Sequence, residues 1–322
     1  MKNSKAILKT PGTMTIIAAD IPVPKENEVL IKVEYVGICG SDVHGFESGP
    51  FIPPKDPNQE IGLGHECAGT VVAVGNRVSK FKPGDRVNIE PGVPCGHCRY
   101  CLEGKYNICP DVDFMATQPN YRGALTHYLC HPESFTYKLP DNMDTMEGAL
   151  VEPAAVGMHA AMLADVKPGK KIVILGAGCI GLMTLQACKC LGATNIAVVD
   201  VLEKRLAMAE RLGATTVING AKEDTVALCQ QFTDDMGADI VFETAGSAVT
   251  TQQAPYHREE SFLTVFRYAN RYPVTIDAIS SGRFDVKSMV THIYDYKDVQ
   301  RAFEESVNNK RDIIKGVIKV CD

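Results

Sequence analysis

The sequence predicts an α/β protein with a β-rich part and a doubly wound parallel sheet, and three observations predict it. Its 322 residues suit two domains of ordinary size. Over residues 6–138, short apolar runs alternate with turns rich in glycine and proline, the pattern of a β barrel or sandwich. Over residues 158–245 the pattern changes to buried strands separated by helical stretches, which indicates a parallel sheet.

In chain order, residues 29–36 (VLIKVEYV) alternate in part and residues 69–74 are apolar. A further strand over 85–89 follows the turn Lys82-Pro83-Gly84-Asp85, and another covers 125–130. A helix from Met158 leads to the strand KIVIL, a helix over 181–191, the strand NIAVVD, a helix over 203–212, a short TVI strand, another helix and the strand ending in ETAG. The last fifty residues predict helices over 273–281 and 296–308 and a final strand, GVIKV.

Composition narrows the function. With 33 basic residues, 39 acidic ones and a net charge of −6, the chain has no basic stripe to neutralise a run of phosphates, so nucleic acid is not an expected partner. The most apolar stretch, residues 172–183, is broken by three glycines and is shorter than the ~20 residues a bilayer requires. No signal peptide or membrane helix is expected, and the expected location is cytoplasmic. Of the twelve cysteines, four fall between positions 95 and 109, which favours metal over disulfides.

The strand KIVIL runs into Gly176-Ala-Gly178-Cys-Ile180-Gly181 and a helix, and the next strand ends in Asp200. This is the setting of a dinucleotide fingerprint. Gly176 permits the turn, Gly178 lets a pyrophosphate approach the helix N-terminus, and Gly181 allows close helix packing. Asp200 suits the adenosine ribose hydroxyls and repels a 2′-phosphate, favouring NAD over NADP. Lys204 and Arg205 temper that preference because they could reach a phosphate.

Cys95, Cys98, Cys101 and Cys109 form CxxCxxC and a fourth cysteine after seven residues. Four thiolates on one lobe can close a tetrahedron about Zn²⁺, which makes a structural site rather than a catalytic one. His97, between ligands, is read as a bystander. A dispersed set consists of Cys39 in GICGSDVHG, His65 and Glu66 in GHE, and Glu152 in VEPAAVGMHA. A thiolate, an imidazole and carboxylates would leave Zn²⁺ a position for water or substrate. Taken singly, Cys39 and His65 could equally be core residues and either glutamate a cap or surface residue, and spacing alone does not join them.

Gly64-His65-Glu66 followed by Gly69, Gly75 and Val78, with GICGSDVH before it, the cysteine lobe after it and GAGCIGL further on, resembles the zinc-containing alcohol dehydrogenases of the medium-chain superfamily. Glu66, LVEPAAVGMHA and Phe266-Arg267-Tyr268-Ala269-Asn270 are most similar to its sorbitol and xylitol dehydrogenase branch. The resemblance covers nearly the whole chain. It implies a GroES-like catalytic domain (1–156 and 267–322) and a Rossmann NAD-binding domain (157–266). It further implies catalytic zinc on Cys39, His65 and Glu66, with Glu152 as a fourth ligand or the partner of bound water. The implied reaction takes hydride from a secondary hydroxyl of a polyol to NAD⁺, with Ser41 and His44 passing the proton to solvent. Arg267, Thr117 and Glu152 are the implied partners for further hydroxyls, and Phe114 is an apolar wall. Family members are usually tetramers or dimers, so a homo-oligomer is expected.

Two departures stand out. Gly45 and Phe46 occupy the place of an aromatic pair in animal polyol dehydrogenases. Between Ala245 and Phe266, about 25–30 residues are missing against the family pattern, including a strand of a sheet expected to have six. The expected explanation is that the numbering runs through an omitted stretch between Tyr256 and Glu260 rather than a true deletion, because an open sheet edge would be costly.

Overall fold

The computed structural model describes residues 3–254 and 261–321. Two compact units form, one from Met1–Glu152 and Val290–Asp322, the other from Pro153–Met289.

The first unit is built on the strand Glu28–Gly37, whose Val29, Ile31 and Val33 alternate into the core. It pairs antiparallel with Glu66–Val74, Tyr128–Pro132 and Lys315–Lys319. The sheet continues through Arg86–Ile89 and Thr136–Lys138 on one side and Val290–Asp295 on the other. A smaller sheet contains Asn3–Thr10, Thr13–Ala19 and Ile61–Gly62. Ile31, Val87, Ile89, Leu125, Phe303 and Ile318 fill one core with the inner faces of these strands. Register matters most at one point, where Gly37 lies opposite both Glu66 and Val317. A Cβ on Gly37 would lie 2.0 Å from Glu66 Oε2, so only glycine leaves room for that carboxylate.

In the second unit four parallel strands run in the order Thr216–Asn219, Asn195–Asp200, Lys171–Leu175 and Ile240–Glu243. Val173, Leu175, Ala197, Val199 and Ile218 form the core of this sheet. Helices Cys179–Cys190, Glu203–Arg211 and Thr225–Phe232 connect it. A Cβ on Gly181 would meet the Gly176 carbonyl oxygen at 1.9 Å, which is the close helix approach the fingerprint requires.

The structure differs from the sequence reading in several places. The helix expected from Met158 begins earlier, as Val151–Leu163, and the division between units falls inside it, after Glu152. The resemblance also implies a strand at Phe266-Arg267-Tyr268, but the structure has none there, and among the described residues Ile240–Glu243 ends the sheet. Residues 267–289 group with the dinucleotide-type unit rather than the β-rich one. The Gln186 side chain explains this, since Oε1 accepts from Asp285 N at 2.6 Å and Nε2 donates to the Asp285 carbonyl at 3.3 Å. The strand Val290–Asp295 had no sequence expectation, because only Tyr294 in it is fully buried and periodicity is weak. The junction between Tyr256 and Glu260 lies outside the described residues. No helix among the described residues is long and apolar enough to cross a membrane.

Candidate active site and metal centres

Among the described residues, two groups of side chains that could hold a metal converge, and both belong to the first unit. In the lobe, the Sγ atoms of Cys95, Cys98, Cys101 and Cys109 lie within 4.8 Å of one another, and all four cysteines are free. Cys95 and Cys101 Sγ are 3.9 Å apart, Cys98 and Cys101 Sγ 3.4 Å. A tetrahedron with Zn–S bonds of ~2.3 Å has edges of about 3.8 Å, so the spacing fits zinc. The Cys95 and Cys98 amides donate to the sulfurs of Cys109 and Cys95 at 3.4 Å each. The His97 amide leads in lowering Cys95 to about 6, whereas burial pushes Cys101 up to about 12. His97 stands outside the group, its Nδ1 2.9 Å from the Cys95 carbonyl.

The lobe is tied down by a buried carboxylate. Glu90, 2% exposed, accepts from Tyr106 Oη at 2.8 Å and from Tyr137 Oη at 2.9 Å. Burial outweighs these two donors and pushes the Glu90 carboxyl up to about 6 from 4.5. The folded state therefore favours the protonated form. Stability from this group is fully present below pH 4.5 and is lost as pH rises through 6, on the order of 2 kcal/mol in all. Glu90→Gln should remove that slope, gaining stability relative to wild type at pH 7.5 but not at pH 4.5. Urea unfolding at both pH values checks it, and an unchanged difference between the two proteins would refute the assignment.

The second group consists of Cys39, His65 and Glu66, whose ligand atoms lie within 4.8 Å of one another. Strand pairing makes it. Gly37 opposite Glu66 brings the end of one strand, with Cys39 two residues on, against the start of the next. Cys39 is the N-cap of helix Gly40–Ser48, and His65 and Glu66 are 6% and 1% exposed. Beneath them sits Asp42, a residue the sequence reading did not single out. Its carboxylate accepts from the Cys39 amide at 3.2 Å and the Gly64 amide at 2.8 Å, and its Oδ1 lies 3.5 Å from His65 Nδ1. Burial alone would raise the Asp42 carboxyl, but the His65 ring and the two amides hold it below its usual range. Burial likewise opposes the His65 charge, and Asp42 with Cys39 outweighs it, holding the ring well above its ordinary value. Such a carboxylate fixes the ring's orientation, as outer partners of metal-binding histidines do. Lys315 was also missed, since a lysine near the end of the chain carries no local signal. Its Nζ lies 2.8 Å from Glu66 Oε1.

A half-buried soft thiol beside a buried imidazole and a buried carboxylate suits Zn²⁺ with an open position. Glu152 is buried, 6% exposed, but is not part of the group that meets at 4.8 Å. Phe114 packs its ring 5.6 Å from that of His65. Thr117 is exposed, its hydroxyl donating to the Phe114 carbonyl at 3.0 Å. Ser41 and His44 are one turn apart on helix Gly40–Ser48, and His44 stacks on Phe51 with centroids 4.0 Å apart. Arg267 belongs to the second unit, its guanidinium 4.6 Å over the Phe266 ring.

In the second unit Gly178 is the N-cap of helix Cys179–Cys190, and Ile180 and Gly181 lie in its first turn. Asp200 Oδ2 accepts from the Ala177 amide at 2.7 Å and Oδ1 from the Leu202 amide at 2.9 Å. Arg205 Nη1 is 3.9 Å from Asp200 Oδ2. The carboxylate thus braces the glycine turn from the next strand.

An open thiol–imidazole–carboxylate group in a β-rich unit, followed in the same chain by a glycine-fingerprinted parallel sheet, defines the class as metal-dependent dehydrogenases. The chain belongs to the zinc-binding alcohol dehydrogenase family. Residues 25–141 match the alcohol dehydrogenase GroES-like domain and residues 179–260 the zinc-binding dehydrogenase domain. An uncharacterized zinc-type alcohol dehydrogenase-like protein of Escherichia coli is 85% identical, with 100% of each chain covered. That alignment runs over 347 positions against 322 residues here, leaving about 25 positions of the relative without a counterpart. Sorbitol dehydrogenase of Bacillus subtilis is 39% identical over 95% of each chain. The crystal structure of an Escherichia coli oxidoreductase/dehydrogenase of unknown specificity, described as involved in membrane biogenesis, superimposes with a TM-score of 0.96 at 84% identity, covering 100% of both chains.

Proposed function

We propose that the chain is an NAD⁺-linked zinc polyol dehydrogenase that oxidises a secondary hydroxyl of a sorbitol- or xylitol-type substrate to the ketose. The observation that carries the reading is the convergence of Cys39, His65 and Glu66, where a carboxylate joins the thiol and imidazole. Similarity to sorbitol dehydrogenase supports the substrate class. When bound, zinc supplies polarisation of the carbinol oxygen, and NAD⁺ accepts the hydride. Cys39, His65 and Glu66 would hold the metal, with Asp42 orienting the His65 ring. Ser41 and His44, one turn apart on one helix, carry the carbinol proton outward, so each turnover yields ketone, NADH and a proton. Phe114 shields the site from water, and Thr117, Glu152 and Arg267 are the proposed partners for the remaining hydroxyls. Gly176, Gly178, Ile180 and Gly181 would seat the pyrophosphate, with Asp200 and Arg205 as the residues that would meet the ribose.

The test is NADH formation by zinc-loaded protein with a panel of polyols, 2,3-butanediol and L-threonine. Fastest turnover is expected with a polyol. Preference for the diol or the amino alcohol moves the assignment to a neighbouring dehydrogenase, and no turnover with any of them overturns the enzyme reading in favour of a non-catalytic zinc and dinucleotide binding protein.

A further inference from the structure

We propose that Thr244 is a positioning residue that locks the first peptide group of the glycine turn and so sets the affinity for the dinucleotide. The inference rests on the reading of Gly176, Gly178 and Gly181 as the seat of the pyrophosphate.

Thr244 follows directly on the strand Ile240–Glu243, which flanks Lys171–Leu175 on the side away from Asn195–Asp200. It is half-buried, and its hydroxyl lies 3.0 Å from both the Leu175 and the Gly176 carbonyl oxygens. The Thr244 amide already donates to the Leu175 carbonyl at 2.9 Å, so the single hydroxyl proton serves the Gly176 carbonyl. That carbonyl and the Ala177 amide are the two ends of one planar peptide group. Asp200 Oδ2 accepts from the amide end at 2.7 Å. One peptide plane is therefore held from both flanking strands, by a carboxylate on one side and a hydroxyl on the other.

The plane needs both holds. Gly176 stands at φ 102, with no side chain to restrict rotation about it. None can be added, since a Cβ there would lie 2.9 Å from the Ala245 amide nitrogen. Gly178, one residue beyond Ala177, is the N-cap of helix Cys179–Cys190, so rotation of the plane misdirects the chain just where a pyrophosphate would approach the helix N-terminus. A turn that is correctly set for only part of the time binds with an affinity reduced by that fraction. The Thr244 hydroxyl raises the fraction by acting through the turn. It also fills the space that Gly181 leaves, its oxygen lying 2.8 Å from where a Cβ on that residue would stand.

The test is Thr244→Val, which replaces the hydroxyl with a methyl group of similar size. It is read by NADH fluorescence titration, by hydrogen exchange of residues 176–181 in the dinucleotide-free protein and by steady-state kinetics. Expected are NADH binding weaker by about three- to tenfold, the range of one neutral hydrogen bond, faster exchange in the turn, and a raised KM for NAD⁺ with turnover at saturating NAD⁺ retained. Thr244→Ser should restore all three. Should Thr244→Val fail to fold, Thr244→Ala, which adds no bulk, carries the same expectation. Wild-type NADH affinity and wild-type exchange in the hydroxyl-free variants overturn the role of Thr244 alone, as does Thr244→Ser binding no better than Thr244→Val. Failure of the wild-type protein to bind NADH overturns the dinucleotide reading and this inference together.

Discussion

Cys39→Ser is expected to reduce bound zinc from two ions per chain to one and turnover by about a thousandfold or more, with the fold intact. The loss follows from chemistry. A serine hydroxyl is not ionised at neutral pH and is a poor ligand for Zn²⁺, and without the metal the carbinol proton must leave against its unassisted pKa, a deficit of several kcal/mol at ~1.36 kcal/mol per decade of rate. Survival of the fold follows from the residue's place. Cys39 is the N-cap of helix Gly40–Ser48 with extended backbone, φ −90 and ψ 153, and serine is among the best residues there. The Asp42 carboxylate would still accept from the amide at 39. Metal analysis, turnover and NAD⁺ binding on one preparation check it. Dinucleotide affinity should not change, because every residue assigned to that task belongs to the other unit. A variant that keeps two zinc ions and wild-type turnover would falsify the placement of Cys39 in the metal shell.

What the sequence disclosed depended on how local each requirement was. The glycine fingerprint was legible because steric need fixes it. Gly181 must be glycine where a Cβ would meet a backbone oxygen at 1.9 Å, and strand, turn and helix are consecutive. The cysteine lobe was legible because its four ligands fall within fifteen positions. Cys39, His65 and Glu66 could be named one by one, but their union depends on strand register, Gly37 against Glu66, which no spacing rule yields. Asp42 was hidden inside a quoted motif because its role is to accept two amides from different segments. Lys315 lies 249 residues from Glu66, and only the sheet brings them together. The boundary at residue 267 missed for a similar reason, since one glutamine, Gln186, binds the backbone of a segment 99 residues away.

Loss of metal from the cysteine lobe should have a different outcome, local unfolding without loss of the second site. Its two short helical turns, Arg99–Leu102 and Tyr106–Ile108, contain no buried side chain, so the lobe has almost no apolar core of its own. The ion replaces that core, and structural zinc sites supply apparent binding energies of about 10–16 kcal/mol in small metal-folded domains. Cys101→Ser removes the sulfur that approaches both Cys95 and Cys98. It should leave one zinc ion per chain and raise proteolytic cleavage between residues 95 and 109 by about ten- to a hundredfold, with Cys39, His65 and Glu66 still binding their metal. The Tyr106 to Glu90 hydrogen bond ties the lobe to the end of strand Arg86–Ile89 and should be lost with it, so a carboxyl now shielded by two tyrosines would meet water and titrate nearer its ordinary value. The variant should therefore also flatten the pH dependence assigned to Glu90. Cleavage and pH dependence moving together would tie the lobe's order to the metal, whereas a protected lobe in a protein with one zinc ion would mean that the chain, not the ion, holds it.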